Sequence, residues 1–106
     1  MCRVKFMKLK IFDSDSGSFD GEYVKNDTRC VYFNQKTTAT LLLVEPEINL
    51  ETGNHWKWIL VNQYNDINSE FYSKIVLEHN LPFGSQQWNK NKLNSTERRT
   101  ISLLGN

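Results

Sequence analysis

The sequence predicts an α+β domain: a mainly antiparallel sheet of four to five strands, one helix packed on it, and a short helix at the C-terminal end. Three observations lead there. Stretches within the first 64 residues alternate apolar and polar side chains, as half-buried strands do. Residues Phe71, Tyr72, Ile75, Val76 and His79 recur at the three-to-four spacing of one helix face. Twelve Asn against a single Ala (Ala39) lean the remainder towards strands joined by turns.

Residues 4–12 read as the first strand, with Met7, Leu9 and Ile11 on one face and Lys8 and Lys10 on the other. Met7-Lys8-Leu9-Lys10 also resembles a natural start, which would make residues 1–6 an upstream extension. Residues 13–21 (DSDSGSFDG) form a loop by composition. Residues 22–25 give a short strand closed by an Asn26-Asp27 turn. Residues 29–34 and 37–45 are strands joined around Gln35-Lys36, a hairpin. The run Thr40 to Val44 is apolar on both faces, as a central strand requires.

Pro46 ends that strand, and an acidic connector leads to Thr52-Gly53-Asn54. Residues 55–64 follow as a strand, with Trp56, Trp58 and Leu60 on one face and Ile59 and Val61 on the other. A reversal at Gly53-Asn54 would pair it with residues 37–44. Asn68 or Ser69 then caps the helix, which runs to about His79 and is stopped by Asn80 and Leu81-Pro82-Phe83-Gly84. Asn94 with Glu97 three residues on makes a capping-box pattern for a second helix, with Ile101 and Leu104 as its face and Gly105 as its stop. The same segment also reads as a short strand over residues 99–104.

The chain of 106 residues is one domain in length, and neither a repeat nor an interdomain linker divides it. At 39% apolar and 24% charged it can build a core, which excludes a disordered chain. It lacks the run of about 20 apolar residues that a membrane-spanning helix needs, so a membrane is not an expected partner. Two cysteines, Cys2 and Cys30, are too few for a disulfide framework. The first twelve residues have no apolar signal region. The expectation is a cytoplasmic protein with reduced, partly buried thiols. The Asn, Lys, Ile, Tyr and Phe content is that of an AT-rich gene, common in phages, mobile elements and some low-GC bacteria.

The net charge of +1 hides local blocks. Arg3, Lys5, Lys8 and Lys10 are followed by Asp13, Asp15, Asp20 and Glu22, and the tail carries Lys90, Lys92, Arg98 and Arg99 against Glu97. Such alternation is usually a solvated surface, and the pI is well below that of a dedicated nucleic-acid binder. The acidic loop could offer oxygen ligands to a hard cation. It misses the EF-hand pattern at both the glycine and the final glutamate, and reads more simply as a loop whose carboxylates bond nearby amides. His55 and His79 each stand alone, without a Cys pair or carboxylate at ligand spacing. No GxSxG, Walker loop or GxGxxG is present. No catalytic residue, metal or cofactor is therefore expected.

The aromatic residues are the better lead. Trp56 and Trp58 share a strand face, Tyr64 lies nearby, and Trp88 sits in a polar, basic segment. Such side chains anchor protein partners, stack single-stranded bases, or close a core. The expected function is a small non-enzymatic domain that binds another protein, in the setting of a phage or mobile element an inhibitor of a host or defence enzyme. The alternative is a weak single-stranded nucleic-acid binder. Either would use Trp56, Trp58, Tyr64, Trp88, Lys90, Lys92, Arg98 and Arg99. The oligomeric state is left open.

Overall fold

A computed structural model describes residues 2–15, 17–46, 55–63, 71–90 and 96–105. Within them the chain forms eight strands: β1 (Lys8–Asp13), β2 (Gly21–Lys25), β3 (Val31–Asn34), β4 (Thr40–Val44), β5 (Trp56–Val61), β6 (Phe71–Val76), β7 (Gly84–Lys90) and β8 (Arg98–Gly105). Each pairs antiparallel with its neighbour in sequence, and β8 returns to pair with β1, closing a barrel. The fold is all-β, with no helix among the described residues, so the α+β expectation is corrected.

The helix expected over residues 68–79 is strand β6, paired from Trp56↔Val76 to Val61↔Phe71 with β5; residues 68–70 lie outside the described set. Tyr72 is buried and Val76 packs against the core, while the Ile75 side chain points outward and is exposed. An apolar residue on the solvent side of a strand breaks the two-residue period, and the result mimics a helical stripe. The C-terminal helix is likewise replaced. Asn94 lies outside the described residues, and Glu97 leads into β8, close to the strand alternative read for residues 99–104. The polar stretch before it becomes β7, whose buried Trp88 pairs opposite Arg99. The hairpin of β3 with β4 and the pairing of β4 with β5 follow the sequence reading.

An eight-stranded barrel is just wide enough for side chains to fill its interior. Here Trp58, Trp88, Tyr23, Tyr32, Tyr72 and Phe19 fill it together with Leu9, Ile11, Leu41, Leu60, Ile101 and Leu103. The outer face carries Lys8, Lys10 and Arg98, all exposed. Strands here run from four to eight residues. Barrels that cross a membrane need about 9–11 per strand and an apolar outer belt. Here the outer face mixes these charges with the exposed Phe12, Phe33, Ile75 and Leu104, and the interior is mainly apolar. No helix among the described residues is long and apolar enough to cross a membrane.

Odd strands begin and even strands finish at one end of the barrel, and the N-terminal residues close that end. Val4 packs against the core, and the Phe6 carbonyl accepts the Tyr32 hydroxyl. The Phe6 and Phe83 rings meet edge to face at 4.9 Å. Residues 2–6 thus make specific contacts with the barrel. Cys2 is joined to Cys30 by a disulfide, with their Cα atoms 5.1 Å apart. The expectation of two free thiols is corrected. The reading failed because proximity across the closed end has no trace in a spacing of 28 residues. At the opposite end the loop between β1 and β2 folds inward, and Phe19 plugs the opening, 1% exposed.

Candidate functional site

The residues singled out in sequence do not converge. Trp58 is fully buried, and its Nε1 donates to the Asn80 carbonyl at 2.7 Å. Trp88 is fully buried as well, and its Nε1 finds no hydrogen-bond partner among the described residues. Neither offers a face for a base or a partner. Trp56, half-buried at the start of β5, packs on the His79 ring with centroids 4.7 Å apart. Lys90 pairs with Glu97 at 3.1 Å, and exposed Arg98 reaches Gln87 Oε1 at 3.4 Å. These two cations lie at the Phe19 end, a barrel length from Trp56. Tyr64 and Lys92 lie outside the described residues.

Arg99 points inward instead. Its Nη1 donates to Asp13 Oδ2 at 3.2 Å, and its guanidinium lies 4.4 Å from the Tyr72 ring centre and 5.8 Å from that of Phe19. The Asp13 side chain is fully buried. A buried carboxylate of this kind is held by its partners or not at all. Asp13 Oδ1 also accepts the Asp15 amide, Asp20 Oδ1 the Asp13 amide, and Asp15 Oδ2 the Thr100 amide at 2.9 Å. The acidic loop therefore spends these carboxylates on backbone and on Arg99, and so locks the Phe19 plug.

The opposite end gathers reactive chemistry that the sequence hides. His79 Nδ1 lies 3.8 Å from Cys30 Sγ and accepts the Arg3 amide at 3.4 Å. Glu78, in the left-handed region with φ 49°, turns the chain so that His79 reaches over the disulfide. Cys2, Cys30, His79, Glu45 and Trp56 border one open hollow of about 190 Å³. The Cys30–His79 contact spans 49 residues, so each group looked solitary in the sequence.

Next to this end the barrel wall is split. β6 pairs with β7 only through Tyr72↔Lys90 and Ser73↔Asn89 among the described residues. Beyond Ser73 the two strands part, and Lys74 Nζ reaches across to the Gln87 carbonyl at 3.3 Å. The split opens into a hollow of about 360 Å³ lined by Ile75, Val76, Leu77, Leu81 and Pro82, with Gln86 at its edge. Ile75 is 56% and Leu77 78% exposed, the two largest exposures among the exposed apolar side chains. A helix reading of this segment concealed the split.

The fold and this split define a closed meander barrel with a breached seam. No family model, curated protein or solved structure matches the chain.

Proposed function

We propose that the protein is a non-enzymatic binding module that takes an extended segment of another protein into the split between β6 and β7. The observation that carries this reading is the coincidence of exposed Ile75 and Leu77 with strand edges that, among the described residues, have no strand partner beyond Ser73. Unpaired strand edges accept an added strand through main-chain bonds, and flanking apolar side chains select its alternate residues. Lys57, directly opposite Ile75 on β5, favours a segment that carries a carboxylate. The AT-biased composition keeps inhibition of a host or defence enzyme, in a phage or mobile element, as the biological form of this role. A cytoplasmic location belongs to the same proposal. There the reducing thiol pools would hold Cys2 and Cys30 open.

The test is selection of a random peptide library on the immobilised protein, followed by amide-shift mapping of the winners. Support is a set of extended apolar peptides that shift β6 and β7 resonances and lose binding in the Ile75→Asp/Leu77→Asp double variant. Peptides that ignore this double substitution, or that map elsewhere, would end the proposal. Labelled single-stranded DNA and RNA serve as the competing ligands, and saturable, salt-sensitive binding of either would favour the nucleic-acid alternative.

A further inference from the structure

We infer that, once the disulfide is reduced, Cys2, Cys30 and His79 form a zinc-binding site at the closed end of the barrel. The donor atoms of the three side chains already lie within 4.8 Å of one another. In a tetrahedral zinc centre, bonds of about 2.3 Å to sulfur and 2.0–2.1 Å to nitrogen place neighbouring ligand atoms roughly 3.5–3.8 Å apart. Cys30 Sγ and His79 Nδ1 stand at 3.8 Å. Three separate segments converge here: the N-terminal strap, the loop after β2 and the loop after β6. Each is held by contacts that survive reduction: the strap by Val4 on the core and by the Tyr32 hydroxyl on the Phe6 carbonyl, Cys30 by the Leu43 amide on its carbonyl at 3.0 Å, and the His79 ring by Trp56.

The ring is also presented in the right sense. Nδ1 accepts the Arg3 amide, which leaves the proton on Nε2 in the neutral imidazole, and zinc would take the Nδ1 lone pair in place of that long 3.4 Å hydrogen bond. Two thiolates and an imidazole are the ligand set that suits zinc. The fourth position opens on the hollow that Glu45 borders, within reach of solvent. The chemistry balances in two steps. A dithiol or phosphine reductant supplies two electrons, two protons are taken up, and the sulfur–sulfur bond gives two thiols. Zinc then displaces both thiol protons and bonds two thiolates and His79 Nδ1. The oxidised form has no thiolate to offer, so zinc affinity depends on the redox state of the pair.

The experiment titrates cobalt(II), a coloured substitute for zinc, into the full chain under nitrogen after phosphine reduction. The expected result is one equivalent of cobalt with thiolate-to-metal charge-transfer absorption, displaced by zinc and absent from the oxidised protein. His79→Ala should weaken cobalt binding tenfold or more. A reduced wild-type chain that shows no charge-transfer band overturns the inference. So does a folded His79→Ala chain that binds cobalt as the wild type does, since two thiols alone would then be sufficient. Should His79→Ala fail to fold, the wild type decides alone. Zinc should slow alkylation of both reduced thiols, and equal rates with and without it would refute the site.

Discussion

Two tryptophans of similar burial hold the barrel in different ways. Trp58 Nε1 satisfies the Asn80 carbonyl in the loop that carries His79, whereas Trp88 Nε1 is buried without a partner among the described residues. Removing one partner of a buried hydrogen bond costs about 1–3 kcal/mol, because the other is left unpaired. Removing a donor that has no partner recovers part of its desolvation cost and offsets the smaller ring. Trp58→Phe is therefore expected to be less stable than Trp88→Phe by about 1 kcal/mol or more, read from urea unfolding midpoints. Equal midpoints would contradict the assignment. The sequence placed Trp56 and Trp58 on one strand face, as they are. It could not say that this face is the inside of a closed barrel, because alternation fixes which residues lie together and not which side is wet.

At the scale of elements, the loops set the barrel ends and one seam sets its weakness. Gly21 opens β2 with φ 145°, and a Cβ there would stand 2.8 Å from Asn34 Nδ2. Asn34 is itself committed, donating to the Asp20 carbonyl and accepting the Lys36 and Thr37 amides. Gly21→Ala should cost about 2 kcal/mol or more, seen as a lower denaturant midpoint with an unchanged slope. For the seam, the amides of Lys74 to Val76 that face away from β5 should exchange with solvent far faster than those of β4 or β5. Uniform protection across β6 would show that the split is closed in solution. The strands up to Val61 were legible because their apolar residues either alternate cleanly, as in Leu9, Lys10 and Ile11, or run unbroken to a turn signal, as in Thr40 to Val44 before Pro46. β6 and β7 were not: Ile75 faces outward, and Trp88 is the single large apolar residue of β7.

Across the whole molecule, two buried phenols tie stability to alkaline pH. Burial pushes Tyr23 up to about 12, with Asp20 and Asp13 adding to the rise and the Asn34 bond opposing it; burial alone pushes Tyr32 up to about 12. Both values lie above the ordinary 10.0, so the folded state holds these protons more tightly than the unfolded chain. Their contribution is complete below pH 10 and is lost as the pH rises towards 12. Tyrosinate absorbance should show these two groups ionising late and together with unfolding. Ionisation near pH 10 in a folded chain would refute their burial. Opening the disulfide acts on the unfolded state instead. A cross-link over 28 residues contributes about 3–4 kcal/mol in the loop-entropy model, so reduction should lower the melting temperature by roughly ten degrees or more. The pairing itself was beyond the sequence, since only the strap's docking beside the β2–β3 loop brings Cys2 to Cys30.

The meeting of β1 with β8 also sets an order of assembly. Every other strand pairs with its neighbour in sequence and can zip as a local hairpin, while the partners Asp13 and Arg99 are 86 residues apart. During synthesis β1 emerges early and has only β2 to hold it, with its second edge bare and the Asp13 carboxylate without its guanidinium. The meander can grow strand by strand from the ribosome, yet it cannot close until β8 is released. Until β8 arrives the growing meander thus carries an open sheet edge, and sealing that edge and neutralising Asp13 are one and the same event.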